Sequence, residues 1–123
     1  MSASFESLAR LLFPEGIWEY FELTNIHQDK EEIWFYLEET NKVPEEFKDQ
    51  KLISKGFLPE SSIQDFPLRG KPVTLFVKRR RWFNTTTGEL VTRDWNLVAE
   101  GTRMTQEFAS FLKEISRYRP NKL

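Results

Sequence analysis

The sequence predicts an α+β domain: a small antiparallel sheet of two hairpins, with an N-terminal and a C-terminal helix. Three patterns carry this expectation. Phe5, Leu8, Ala9 and Leu12 fall at the i, i+3, i+4 and i+7 spacing of one helix face. Met104, Phe108, Phe111, Leu112 and Ile115 repeat such a stripe near the end of the chain. Between the stripes, apolar and polar residues alternate with the period of two that sends successive side chains to opposite faces of a strand.

In chain order, Ser4 suits the cap of the first helix, and Pro14 with Gly16 ends it. Residues 20–26 alternate and residues 33–37 are dense in β-branched and aromatic side chains; the polar link at 27–31 makes them a hairpin. Glu19, Glu22, Glu31, Glu32, Glu38 and Glu39 are expected on its wet face or ends. Pro44 favours a short helical turn over Glu45, Glu46 and Phe47. Residues 61–72 contain Pro67, Gly70 and Pro72 and read as a turn-rich approach to a strand. That strand is the clearest β signal, with Val73, Leu75 and Val77 on one face and Thr74, Phe76 and Lys78 on the other.

Carried to Phe83, the alternation puts Arg79 and Arg81 on the valine face and Lys78, Arg80 and Trp82 opposite. Charges on a valine face stay solvated only where the strand has run past the core. The basic run is therefore expected at a projecting hairpin end, with residues 84–88 as the turn and residues 90–95 returning. Thr102 or Thr105 suits the cap of the last helix, and Glu107 its positive first turn.

A length of 123 residues suits one domain spanning 1–123, and 11 Phe, 4 Trp and 3 Tyr supply a core without staples. The absence of cysteine excludes disulfides, thiolate nucleophiles and cysteine-ligated zinc. No long apolar run or basic, apolar leader is present, so neither a membrane span nor a secretory signal is expected. The expectation is a soluble cytoplasmic protein. The formal net charge of −1 conceals a division. Residues 1–60 hold 13 acids against 6 bases, and residues 61–123 hold 12 bases against 6 acids, net charges of −7 and +6. Such asymmetry points to an acidic or polyanionic partner.

Catalysis has little to build on. The single histidine, His27, has no nucleophile signature near it, and adjacent glutamates such as Glu38 and Glu39 point to opposite faces of a strand and make a poor chelate. The five glycines are scattered, without a phosphate-cradling loop. No enzyme activity, metal or cofactor is expected.

Nucleic acid is the leading partner class. Lys78, Arg79, Arg80 and Arg81, with Arg93 and Arg103 in support, are the candidates to neutralise phosphates, and Trp82 to orient the patch. Engagement of about six phosphates would give a log–log salt slope near −5. Set against this, edge strands also use charge merely to stay unpaired. The near-neutral total is also unlike a typical DNA-binding domain. Two further readings are a protein-interaction module acting through the acidic half or the last helix, and an RNA binder preferring single strands.

One stretch resembles a known family. The elements are Ile63-Gln64-Asp65-Phe66-Pro67-Leu68-Arg69-Gly70-Lys71-Pro72 leading into Val73-Thr74-Leu75-Phe76-Val77, then Lys78-Arg79-Arg80-Arg81-Trp82-Phe83, Arg93-Asp94-Trp95 and Gly101-Thr102-Arg103-Met104-Thr105. Together with the opening Leu11-Leu12-Phe13-Pro14-Glu15-Gly16, they resemble the N-terminal region of ISAon-type bacterial insertion-sequence transposases over most of the chain. The resemblance implies a non-catalytic module that binds double-stranded DNA at the element ends, or otherwise assists transposition. A DDE-class catalytic transposase subunit or domain would be encoded separately or downstream. It also implies DNA-facing roles for Lys78, Arg79, Arg80, Arg81 and Arg103. The zinc-bearing relatives place cysteines around the hairpin tip, where this chain has Asn84-Thr85-Thr86-Thr87-Gly88 and no zinc ligand. The tip is then held by turn geometry and packing.

Overall fold

Alternation is realised most fully at residues 33–39, where inward Ile33, Phe35 and Leu37 are buried and the residues between them are half-exposed. In the computed structural model the described residues are 11–13, 16–95, 110, 111 and 113–115, with Phe66 described in its backbone alone. Strand β1 (Phe21–Gln28) runs antiparallel to β2 (Ile33–Glu39). Asp29 closes their turn: its Oδ1 accepts from the backbone N–H of Glu31 at 2.8 Å and of Glu32 at 2.9 Å.

Apart from the last strand, the rest of the sheet structure is one long hairpin, bent in the middle. Strands β3 (Leu52–Phe57) and β4 (Ser61–Leu68) form one arm, β5 (Lys71–Lys78) and β6 (Arg80–Asn84) the other. Leu68 pairs with Lys71 across the two-residue turn Arg69-Gly70, whose φ values of 54° and 78° are the positive pair that a primed hairpin turn requires. At the bend the arms stay tied by the Leu58 N–H, which donates to the Arg79 carbonyl at 2.8 Å. The tip half joins a four-stranded sheet of order β1-β2-β5-β4, in which β2 and β5 are parallel. The other half joins β7 (Glu89–Thr92) in a three-stranded antiparallel sheet of order β3-β6-β7.

The core lies on the inner face of the four-stranded sheet. Phe21, Phe35, Leu37, Ile63, Val73, Leu75 and Val77 point into it, and Phe13, Ile17, Trp95, Phe111 and Ile115 cover it. The cover is largely aromatic. Phe13 meets Phe35 edge-on at 4.9 Å, and Phe21 stacks on Trp95 at 5.1 Å while meeting Phe111 edge-on at 5.8 Å.

The expected α+β class is overturned. Of the described residues 52% are strand and 16% helical, with no helix of seven residues or more, so the architecture is mostly β in two sheets. The four-stranded sheet is mixed rather than antiparallel. Helix is confined to Leu11 and Leu12, single 3-10 turns at Ile17–Glu19 and Glu45–Phe47, Trp95, and pieces within 110–115. Much of the two predicted stripes, Phe5, Leu8 and Ala9 in one and Met104, Phe108 and Leu112 in the other, lies outside the described residues.

The excess of strand comes from two segments, β3 and β4, where no strand is predicted. β4 contains Pro67, but it is an edge strand and its ladder breaks between Asp65 and Leu68, where a missing N–H costs nothing. β3 contains Gly56, at φ 78° within the register shift between Ser54 and Phe57, a bulge for which glycine is suited. Among the described residues no helix is long and apolar enough to cross a membrane.

The tip turn yields a stability prediction. Arginine bears the left-handed conformation at 69 less well than asparagine does, so Arg69→Asn should stabilise the fold by about 1 kcal/mol. Gly70→Ala, strained at φ 78°, should destabilise it by about the same amount. Urea denaturation of the two variants checks both signs.

Candidate nucleic-acid interface

Glu39 organises the region to which the basic run belongs. It follows Ile33, Phe35 and Leu37 on the inward side of β2 and is 1% exposed. A buried carboxylate needs donors, and the basic half supplies them. Its Oε1 accepts the backbone N–H of Arg80 at 2.8 Å, and its Oε2 accepts Nε of Arg93 at 2.8 Å. Arg80 Nε donates to the Glu39 carbonyl at 3.2 Å, and Arg93 Nη2 donates to the Lys42 carbonyl. The Arg93 guanidinium lies 4.9 Å from the Tyr20 ring centre, 5.7 Å from Trp82 and 5.6 Å from Trp95.

The predicted DNA-facing residues therefore part company. The basic run does not project at a hairpin tip. It occupies the bend between the two sheets, and the tip of the β6–β7 hairpin is the Asn84 turn, where Asn84 Oδ1 accepts from the N–H groups of Thr86 and Thr87. Arg79 continues the inward row Val73, Leu75, Val77 and is only 8% exposed. Trp82 is fully buried and donates its indole N–H to Asn41 Oδ1 at 2.9 Å, so its ring packs inside the three-stranded sheet. Arg93 is 6% exposed. Half-buried Arg80 also donates to Ser54 Oγ and lies over the Phe57 ring at 4.7 Å. Lys78 Nζ lies 6.0 Å from the same ring centre. Arg103 lies outside the described residues.

Arg81 alone of the run turns outward within the three-stranded sheet. Pairing places Ile53, Phe83 and Leu90 in one row across that face, with Arg81 beside Thr92 in the next. Ile53 and Leu90 are 52% and 55% exposed. Arg81 Nε donates to the carbonyl of exposed Lys55 at 2.9 Å, and exposed Lys51 stands at the near end, its carbonyl accepting the Thr85 N–H. Among the described residues no ion pair reaches Arg81, Lys55 or Lys51. The acid of β7, Glu89, pairs with Asn84 in the adjoining row.

Other chemistry is sparse. His27 stands in β1 rather than in the loop, with Nε2 3.2 Å from Asp29 Oδ2. A cavity of about 700 Å³ between the inner sheet face and Ser110, Phe111 and Glu114 is walled mainly by Phe35, Ile63, Leu68, Val73, Leu75 and Phe111. Most of those walls belong to the core or pack against it. Among the described residues no group of three His, Cys, Asp or Glu is placed to hold a metal ion. No family model, curated protein or solved structure matches the chain.

Among the described residues two carboxylates have perturbed protonation, in opposite senses. Burial pushes Glu39 above the usual carboxylate value, with Arg93 and the Arg80 N–H pulling against it. The folded state then holds this proton more tightly than the unfolded chain. Its contribution to stability is full in acid and fades as pH rises through the folded pKa. The Glu31 and Glu32 N–H groups, aided by His27, hold Asp29 below its usual value, so its contribution is present at neutral pH and lost on acidification. Arg93→Met should cost about 3–5 kcal/mol at pH 7, because it strands a buried carboxylate. The loss should shrink as pH falls and Glu39 takes up a proton. Glu39→Gln with Arg93→Met, removing both charges, should recover most of it; denaturation of both variants at pH 7 and pH 4.5 is the measurement.

Proposed function

We propose that this chain is a non-catalytic, DNA-contacting accessory module of a bacterial insertion-sequence transposase, working in the cytoplasm beside a catalytic subunit or domain. The reading rests on the sequence resemblance and on one structural observation. That observation is the outward face of β3-β6-β7, where Arg81, Lys55 and Lys51 stand around the row Ile53, Phe83 and Leu90 without ion pairs among the described residues. Cations on a rigid sheet can displace counterions from a duplex at fixed spacing, and Phe83 and its neighbours offer apolar contact to sugars and thymine methyls. Arg79, Arg80, Trp82 and Arg93 are assigned to holding that sheet in place.

Three phosphate contacts are fewer than the six that the sequence offers. Binding to duplex DNA measured by fluorescence anisotropy should therefore show a log–log salt slope near −3 rather than −5. Replacing Arg81, Lys55 and Lys51 together by Ala should flatten the slope and weaken binding at least tenfold in about 0.1 M salt, whereas Lys30→Ala should leave both unchanged. A salt-independent affinity, or a triple variant that binds as the parent does, sinks the reading.

The inward fate of Arg79, Arg80, Trp82 and Arg93 favours a second reading. In it the chain is a protein-interaction module that recruits the catalytic transposase subunit without touching DNA. Nuclease-resistant co-purification of the two polypeptides, with no duplex binding by this one, separates it from the first.

A further inference from the structure

The outer face of the four-stranded sheet carries an aromatic patch that neither the core nor the basic region uses. Register places His27, Trp34, Thr74 and Gln64 in one row, and Asn25, Tyr36, Phe76 and Ser62 in the next. The rings touch: His27 lies 4.8 Å from Trp34, Trp34 meets Phe76 edge-on at 5.5 Å, and Tyr36 stacks on Phe76 at 5.1 Å. Trp34, Tyr36 and Phe76 are each half-exposed. Cross-strand packing accounts for the contacts among them. It does not account for what surrounds them.

A third row sets Glu22 directly opposite Glu38, a like-charged pair that costs stability in an antiparallel sheet. Among the described residues no ion pair relieves either carboxylate. Lys78 is next to Glu38 in the register, yet its Nζ lies over Phe57. At the opposite end of the patch, Glu32 accepts the Trp34 indole N–H at 2.9 Å. Elsewhere among the described residues four rings lie beneath cations of the same chain: Lys42 and Arg93 over Tyr20, Arg80 and Lys78 over Phe57, and Arg93 over Trp82 and Trp95. Among the described residues no cation lies over Trp34, Tyr36 or Phe76.

The geometry points to a docking surface for an arginine-bearing segment of a partner protein, an inference that rests on the second reading above. A guanidinium is the group that gains from both features together. Its flat face stacks on an aromatic ring while its fork meets a carboxylate. Glu22 and Glu38 beside Tyr36, and Glu32 beside Trp34, offer that combination at both ends of the patch. The same acids repel phosphate, which disfavours stacked nucleobases as the occupant.

The test uses the full chain and an end-capped Gly-Arg octapeptide, with its lysine and citrulline counterparts as controls. By NMR, the arginine peptide should shift the Trp34 indole N–H and the backbone N–H of Tyr36 and Phe76 saturably. It should bind about tenfold more tightly than the lysine peptide and more tightly still than the uncharged one. Glu38→Gln, a surface change that spares the fold, should weaken it about threefold, and Tyr36→Leu, which keeps apolar bulk but removes the ring, about tenfold. Equal binding of the citrulline peptide, shifts confined to other surfaces, the same shifts on adding oligothymidylate, or a concentration-dependent dimer using this face would each overturn the proposal. Peptide binding without nuclease-resistant co-purification would reject recruitment of the transposase subunit and leave the arginine-docking surface standing.

Discussion

One buried carboxylate sets the arrangement of the described residues. Glu39 ends β2 at the point where the four-stranded sheet gives way to the three-stranded one, and its two oxygens are taken by partners 41 and 54 residues away. The first partner fixes the start of β6, and the second draws the segment after β7 back against Tyr20 and Trp82. An internal ion pair of this kind adds little net stability, because desolvating both groups offsets most of their attraction. What it supplies is selection. Chain arrangements that bury Glu39 without Arg93 leave a charge stranded in a low-dielectric core, and so are excluded.

This accounts for the division of charge along the chain. An acidic first half and a basic second half would read as two surfaces for two partners, yet part of the opposition closes inside the molecule. The Glu39–Arg93 pair removes one charge from each half. Arg80 lies against Glu39 and Phe57, and Arg79 is withdrawn into the bend. Outside remain two faces of different character: one on β3-β6-β7 with Arg81 and two lysines beside apolar residues, the other on β1-β2-β5-β4 with stacked rings beside glutamates.

Local chemistry was legible where a few neighbouring residues decide the outcome. The two hairpin turns at Asp29 and Asn84 follow from side-chain acceptors that mimic a backbone turn, and the short 3-10 turn at Glu45–Phe47 forms where expected, though Pro44 stands before it as the N-cap rather than at its first helical position. What escaped depends on partners distant in sequence. Pro67 and Gly70 suggested an irregular approach, and only the outermost position of β4 makes Pro67 harmless. The parallel pairing of β2 with β5 joins segments about 40 residues apart and leaves no mark in the alternation of either. The site misled for a related reason. By alternation alone, Arg79 on the valine face implies a strand that has left the core; in the fold it marks a charge entering it. Glu39 carried the matching signal, as the fourth residue of the row Ile33, Phe35 and Leu37, and an acid in that register implies a base waiting elsewhere in the chain.

The bend in the long hairpin has a mechanical consequence. Because β5 and β6 are consecutive lengths of the same strand, parted only by Arg79, neither sheet can tilt without tugging on the other. Leu58 to Arg79 is the backbone stitch at that crease, held between two ladders that are each several bonds long. A load applied to either outer face would travel along the strand to this seam, where the Leu58 N–H and the Glu39 bonds to Arg80 pass it from one sheet to the other.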